Sequence, residues 1–396
     1  MDEQGSLIVS TVSDDPFAID VAHFFGQQAE IADLIALKRF ANTEFCPRFI
    51  SDENDLGNIG RRLCGKTVII VSSCCGTHTR NARAMRTCLT ARAAKDNGAQ
   101  RVILVEPDLF YSAQDRGPRP DHGQVDFERS KADYKKFDGQ PFSARLYADL
   151  LKTSGVDAVC TVHNHSISVQ RLYERLFEGE FRNLTPSGLY ANFLNQENVA
   201  GGPAGNSGLV LCAPDAGAGR FVEEVYDEMQ QEKSGMLIAP EIGLLLMTKK
   251  RLNERHVEIT PSAHSPLQIK DVRGRTVVVF DDMVRTGGTI SECCRQLKDA
   301  GAIRVVFVVT HFYSSDEVKE NLNTPAIDEI VTSNTLPAIL NRDMQGRLRK
   351  KMLVLKIEKW IASHLTRELT GSPIRDGKPL YAIDMSSKNP RAFSAE

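Results

Sequence analysis

Two adjacent carboxylates, Asp281 and Asp282, stand between an apolar run and a glycine-threonine turn in the stretch Val277–Thr289, VVVFDDMVRTGGT. Each part has a chemical use. Thr286, Gly287, Gly288 and Thr289 put backbone N–H groups and two hydroxyls at a helix N-terminus, where a phosphate is stabilised. The glycines let the backbone approach such an anion without a Cβ in the way. Carboxylates beside a phosphate cradle look contradictory, because like charges repel. The conflict disappears for a sugar phosphate: the phosphate sits in the loop, and the acids accept hydrogen bonds from vicinal ribose hydroxyls. The plainer reading is a strand–turn–helix with solvated aspartates.

The flanking pattern says what positions these groups. Val277–Phe280 reads as a buried parallel strand, and Met283–Gly288 as a short loop. Ile290, Cys293, Cys294, Leu297 and Ala300 recur at helical spacing, with Gly301 as a stop and a second strand at Val305–Val309. That is one βαβ unit, and open α/β sheets bind ligands at the carboxyl ends of their strands.

Similar units recur along the chain. Leu7–Val12 reads as a strand, followed by a helix from Pro16 to Gln27 capped by Asp14 or Asp15. Ile31–Leu37 is a short apolar-rich segment, and Phe40–Glu44, taken alone, is a loop. Thr67–Val71 is a strand that runs into the small turn Ser72–Thr79 and a helix over Asn81–Asn97. Arg101–Val105 leads into Pro107–Arg116, which contains Gln114, Asp115 and Arg116. Gly117–Gln140 is highly polar without apolar period, the character of a lid, a binding loop or a disordered insert.

Asp157–Val162 runs into His163-Asn164-His165-Ser166. Two histidines at i, i+2 on an extended chain point the same way, so both could reach one ion; one could equally be a base and the other a solvated loop residue. Gly208–Ala213 leads into Pro214-Asp215-Ala216-Gly217-Ala218-Gly219, again a geometry for a phosphorylated ligand. Gly243–Met247 delivers Lys249-Lys250-Arg251 ahead of a polar stretch to Gln268. Three cations in a row are usually a solvated run, but can clamp transferring phosphate groups. Ile327–Val331 is the last strand, and Leu353–Arg367 a final helix.

Composition bounds the alternatives. The 396 residues, 41% hydrophobic and 25% charged with net charge −2, suit two soluble domains. There is no nucleic-acid footprint, no polybasic membrane patch and no apolar run that could span a bilayer. The acidic start MDEQGSLIVS lacks a secretory signal pattern. The nine cysteines fall mostly within strand and helix patterns, as expected of core thiols in a reducing cytoplasm, although Cys74 and Cys75 lie in a candidate active-site loop.

The Val277–Thr289 stretch resembles the ribose-5-phosphate loop of type I phosphoribosyltransferases. The order of all these loops, from about Leu7 to Leu369, resembles the ribose-phosphate pyrophosphokinase (PRPP synthetase) family. The resemblance implies an α/β fold of two tandem phosphoribosyltransferase-like domains, each a mostly parallel sheet flanked by helices. Their expected limits are 1–165 and 166–340, with 341–396 as a C-terminal helix and tail whose helix packs back on the first domain.

It also implies transfer of the β,γ-diphosphoryl group of ATP to the C1 hydroxyl of ribose 5-phosphate, with Mg2+ as cofactor. Phe40, Asn42 and Glu44 match the loop that reaches the adenine of ATP on a neighbouring subunit, so a homo-oligomer is expected, hexameric or dimer-based. Gln114, Asp115 and Arg116 match an ATP-contacting run, and His165 the histidine at the ATP–magnesium site. Lys249 and Arg251 match the catalytic cations of a flexible loop. Asp215, Asp281, Asp282, Arg285, Thr286, Gly287, Gly288 and Thr289 match the ribose-5-phosphate site; Thr310-His311 and Ser333-Asn334-Thr335 resemble later family segments. A cytoplasmic location is expected, with no nucleic-acid or membrane partner.

The sequence departs from the family pattern at particular places. Ala113 stands where an arginine faces ATP. His163-Asn164 replace Asp-Leu, and Arg182 replaces an aspartate near the sugar and metal. The 117–140 insert has no counterpart in shorter members. These departures leave open a non-catalytic regulatory homologue; a phosphoribosyltransferase that consumes PRPP is a further alternative, which the twin-domain length disfavours.

Overall fold

The computed structural model describes residues 5–196, 199, 201–202, 205–206, 208–233, 241–251, 257–372 and 379–384. The chain divides into two compact units, Met1–Leu184 with Glu358–Arg375, and Thr185–Ile357 with Asp376–Glu396.

The first unit contains, in order, β1 (Ser6–Ser10), α1 (Pro16–Phe25), α2 (Ile31–Leu34), β2 (Ile35–Arg39), β3 (Phe45–Phe49), β4 (Thr67–Val71), α3 (Arg80–Asp96), β5 (Arg101–Val105), α4 (Lys131–Lys136), α5 (Ser143–Ser154), β6 (Ala158–Val162), α6 (Ile167–Leu176) and β7 (Phe181–Leu184). Five of these strands form one parallel sheet in the order β1-β4-β5-β6-β7. Val68 to Val71 and Val102 to Val105 are buried without a break, as strands covered on both faces must be. Asp15 caps α1 by accepting from the Phe17 and Ala18 N–H groups, and Gly26 ends it in the left-handed region at φ 91°.

The second unit contains α7 (Ser187–Gln196), β8 (Gly201–Gly202), β9 (Gly205–Asn206), β10 (Leu209–Ala213), α8 (Gly219–Lys233), β11 (Ile242–Arg251), β12 (Val257–Pro261), β13 (Thr276–Val284), α9 (Gly288–Asp299), β14 (Arg304–Phe312), α10 (Asp316–Leu322), β15 (Glu329–Ser333), α11 (Arg342–Gln345) and β16 (Met352–Lys356). Helix α12 (Glu358–Thr370) then returns to the first unit, and β17 (Ala382–Ile383) closes the second. The sheet order is β12-β11-β10-β13-β14-β15-β16-β17, parallel from β11 to β16 with antiparallel edges. Its core is a β-branched and cysteine-rich layer that includes Val277, Val279, Cys212, Cys293 and Cys294.

Several elements differ from the sequence expectation. The first unit runs past residue 165 to Leu184, because α6 and β7 complete its sheet. The segment Ile31–Leu37 splits into a helical turn and β2, which pairs with β3 so that Phe40–Glu44 becomes a hairpin tip. Residues 117–140 include a helix, α4, capped by Ser130. Leu353–Lys356 is strand, and the final helix begins only at Glu358. For β2 and for Leu353–Lys356 apolar spacing alone left helix and strand unresolved, and strand pairing decided.

Candidate functional site

In the second unit the strand order reverses between β10 and β13, which are parallel neighbours. Such a switch point opens a crevice at the carboxyl ends of the two strands. The Pro214–Ala218 turn and the Asp281–Thr289 segment both emerge there.

The acid pair lies within β13, which continues to Val284; Asp281 pairs with Val309 of β14 and Met283 with His311. This corrects the expected strand end at Phe280 and shortens the loop to Arg285–Gly287. Both aspartates are half-buried, and the Asp282 N–H donates to Asp281 Oδ1 at 3.0 Å. Burial, then the charge and side chain of Asp282, then the charge of Asp215 hold the Asp281 carboxyl well above the usual carboxylate range. Three acids thus crowd one crevice, and a ligand that donates hydroxyls or brings a cation would relieve the crowding.

The turn that follows is fixed from outside. Gly287 is the N-cap of α9 at φ 81°, and a Cβ there would lie 3.1 Å from Leu322 Cδ2. Asn321 Nδ2 donates to the Thr286 carbonyl at 2.8 Å. Gly288 opens α9 with nothing within 4 Å of a would-be Cβ, so the first turn is accessible. Arg285, Thr286 and Gly288 are exposed, Gly287 is buried and Thr289 is half-buried. Asp215 closes its own turn: Oδ1 accepts from the Gly217 N–H at 2.9 Å and from the Ala218 N–H at 3.4 Å.

Toward the carboxyl ends of β14 and β15 is a buried hydroxyl network. Ser333 Oγ and Thr335 Oγ1 both donate to the Thr310 carbonyl, at 2.7 and 3.0 Å. His311 Nδ1 lies 3.0 Å from Thr335 Oγ1, and the Tyr190 hydroxyl 3.2 Å from Thr310 Oγ1. The network ties the ends of β14 and β15 together.

Lys249, Lys250 and Arg251 were expected in a loop. Their backbone instead continues β11 beyond its last contact with β10, Leu246 with Ala213, and pairs antiparallel with β12. Because β11 is parallel to β10 and β13, this arm leaves the sheet at the same edge as Asp281. Residues 252–256, and the side chains of 249–251, lie outside the described residues.

In the first unit, Ser166 caps α6 through the Val169 N–H, and its hydroxyl also donates to Asp115 Oδ2 at 2.7 Å. This brings Gln114-Asp115-Arg116 and the His165 loop together at the carboxyl edge of the sheet. Gln114 and His165 are exposed; Asp115 and Arg116 are half-buried. Asn164 is buried and organises the turn: its Oδ1 accepts from the Ser166 N–H, and its carbonyl from Gln170 and Asn183. His163 sits at φ 46°, so the extended geometry that would have aimed both histidines the same way does not hold. Arg182 is exposed and donates to the carbonyls of Gly179 and Phe181.

Phe40, Asn42 and Glu44 lie on the exposed β2–β3 tip, held by the Phe40 N–H bond to the Glu44 carbonyl. Asn42 Oδ1 accepts from the Glu44 N–H, a local turn that projects Phe40 outward, 43% exposed.

Among the described residues no group of three or more His, Cys, Asp or Glu is placed to hold a metal ion. Mg2+ asks for less: it keeps several waters and takes one or two carboxylates plus substrate phosphates. Asp115 beside His165, and the Asp281–Asp282 pair, are oxygen donors that fit that habit. No helix of the described residues is long and apolar enough to cross a membrane.

Sequence reasoning missed the supports. Asp15 is buried and accepts from Ser73 Oγ, joining the ends of β1 and β4. Arg83, also buried, donates to the Ser73 and His78 carbonyls and so shapes the Ser72–Thr79 turn. Only the Asp-Pro start of α1 signalled any of this. Arg83 reads as a surface helix residue.

Residues 8–125 match the family model described as the N-terminal domain of ribose phosphate pyrophosphokinase, and residues 224–371 the one described as phosphoribosyl synthetase-associated domain. Ribose-phosphate pyrophosphokinase 2 of Saccharomyces cerevisiae is 26% identical over 286 residues, 72% of this chain and 76% of that protein. The Corynebacterium efficiens ribose-phosphate pyrophosphokinase is 27% identical over 310 residues, 78% of each chain. The Mycobacterium tuberculosis one is 30% identical over 245 residues, 62% of each. The crystal structure of phosphoribosylpyrophosphate synthetase from Mycobacterium smegmatis superposes with a TM-score of 0.66 at 22% identity, over 93% of this chain and 99% of that one, which shows a shared fold.

Proposed function

Since the chain belongs to the ribose-phosphate pyrophosphokinase family, we propose that it moves the β,γ-diphosphoryl group of ATP to the C1 hydroxyl of ribose 5-phosphate, giving PRPP and AMP. The observation that carries this reading is the acid pair at a sheet switch point, followed at once by a glycine-threonine helix start. In this reading the amides of Gly287, Gly288 and Thr289, the Thr286 hydroxyl and Arg285 hold the 5-phosphate. Asp281 and Asp282 accept from the ribose hydroxyls, with Asp215 bracing the neighbouring turn. Gln114, Asp115, Arg116 and His165 take the nucleotide, and Phe40, Asn42 and Glu44 reach adenine on a neighbouring copy of the chain.

The C1 hydroxyl oxygen attacks the β-phosphorus and its proton is released to solvent, while the bond from the β-phosphorus to the oxygen shared with the α-phosphate breaks and AMP leaves with that oxygen. Little covalent work falls to the protein, so Lys249 and Arg251 act by positioning and by neutralising charge on the transferring group. Asp115 and His165 would hold Mg2+, which would supply further charge neutralisation.

A coupled assay for AMP release with ATP, Mg2+ and ribose 5-phosphate tests the reading. Turnover that needs all three supports it. Lys249→Ala is expected to lower kcat by roughly 100-fold or more with a smaller change in KM. A second reading, a regulatory homologue without turnover, is favoured by Ala113, which leaves the nucleotide run one cation short. It predicts binding of ribose 5-phosphate or ATP with no AMP formed. Light scattering of the purified chain tests the homo-oligomer.

A further inference from the structure

The stretch 117–140 is a built structure that seats on the nucleotide run. Its centre is Arg129, whose side chain is only 4% exposed. Arg129 donates to Asp133 Oδ2 at 2.7 Å, to the Gly117 carbonyl at 2.9 Å and to the His122 carbonyl at 3.0 Å. A buried guanidinium with a carboxylate and backbone partners is a strong local fastener.

Around this centre the insert grips Arg116. The Arg116 guanidinium lies over the Phe137 ring at 4.9 Å, and its Nη1 is 3.4 Å from Asp133. Asp133 therefore serves Arg129 at close range and Arg116 at long range. Arg116 Nη2 makes no hydrogen bond among the described residues, and the side chain keeps 28% exposure. The cation is restrained in direction but not used up.

The backbone is gripped as well. Gly123 has φ 99°, and a Cβ there would lie 2.6 Å from the Asp115 carbonyl oxygen and 3.0 Å from Arg116 Cγ. Ser168 Oγ donates to that same Asp115 carbonyl.

We propose that the 117–140 insert is a clamp that orients Arg116 for the polyphosphate of a nucleoside triphosphate, with Phe137 and Asp133 as positioning residues. The inference rests on the reading above that Gln114–Arg116 meets the nucleotide. Its physical basis is that an arginine ordered before the ligand arrives loses less side-chain freedom on binding. In a run where Ala113 supplies no charge, that one cation matters more.

The test is calorimetric titration of the full chain with Mg-ATP, without ribose 5-phosphate, together with steady-state kinetics. Phe137→Leu and Gly123→Ala are expected to weaken ATP binding and raise its KM about 3- to 10-fold, the range of one immobilised side chain. KM for ribose 5-phosphate should stay within about 2-fold, because that ligand is assigned to other loops. In an Arg116→Ala background Phe137→Leu should add nothing, since the clamp acts through that side chain. A wild-type chain that binds ATP, with clamp variants binding equally well, overturns the clamp alone. So does an equal loss from Phe137→Leu in the Arg116→Ala background, which would mark general damage to the fold. A wild-type chain that binds no ATP overturns the nucleotide reading, and the clamp with it.

Discussion

Neighbouring glycines in the ribose-phosphate turn should respond to alanine in opposite ways. Gly287 lies at φ 81°, and a Cβ there would sit 3.1 and 3.2 Å from Leu322 Cδ2 and Cγ. An alanine in the left-handed region costs roughly 1–2 kcal/mol. Pressing on Leu322, the buried last residue of α10 that packs at the start of α9, adds about 1 kcal/mol or more. Gly287→Ala should therefore destabilise the second unit by roughly 2–4 kcal/mol. Gly288 is the first residue of α9, with open space around it. Gly288→Ala should leave the fold as stable or gain up to about 1 kcal/mol, the ordinary glycine penalty in a helix. Its cost appears in binding, where the new methyl stands at the backbone a phosphate must approach.

Calorimetric unfolding measures the first effect, and titration with ribose 5-phosphate the second. Leu322→Ala combined with Gly287→Ala should recover part of the overpacking loss but none of the backbone strain. A Gly287→Ala protein as stable as the parent would refute the packing argument. A Gly288→Ala protein that binds ribose 5-phosphate normally would refute the backbone cradle.

Three further outcomes are expected. Burial pushes the Glu106 carboxyl up from its ordinary 4.5 to about 8, against the opposing pull of the Phe110 N–H and the Tyr147 hydroxyl. Folding then takes up a proton, so this contribution is full below pH 4.5, falls as pH rises, and is gone above about 8. Glu106→Gln, which stays neutral, should flatten stability across that window in chemical denaturation; an unchanged slope would count against a protonated Glu106. Asp282→Asn should weaken ribose 5-phosphate binding by roughly 10- to 100-fold, the scale of a charge-assisted hydrogen bond, with ATP affinity little changed; equal losses for both ligands would point to misfolding. Arg101 bonds both Glu180 and Glu368, the latter on α12, and Arg101→Met should lower the thermal midpoint by an amount matching roughly 1 kcal/mol, since both pairs are partly solvated. No shift in the midpoint would mean the α12 anchorage is purely apolar.

The sequence revealed the sheet strands well, because Val-Ile runs such as Val68–Val71 and Val277–Phe280 leave little else to be. It also exposed the Asp281–Thr289 motif, where acids, glycines and hydroxyls sit within a dozen residues of each other. Contacts made across the fold were hidden. Nothing local marks Asp15 as the partner of Ser73, or Ser166 as the partner of Asp115. The 117–140 insert looked featureless because its organising group is an arginine. A charged residue carries no apolar period, so its burial leaves no trace in hydropathy. The strand character of Lys249 to Arg251 is hidden for a related reason: an edge pairing with β12 supplies the strand, and polar side chains give no hint of it. The extended run expected through the two histidines breaks at His163, which lies at φ 46° just before the Asn164 N–H that donates to Asn183 Oδ1.

The return of α12 to pack on α1 has a consequence for biogenesis. As the polypeptide leaves the ribosome, residues up to Leu184 emerge first, yet the helix carrying Trp360, Ile361 and Leu365 is made only after β16. Throughout that interval the face of α1 that α12 covers waits for a partner that does not yet exist. Nascent chains arrested anywhere between about 200 and 350 should accordingly carry a sticky, half-finished amino-terminal body that chaperones must shield.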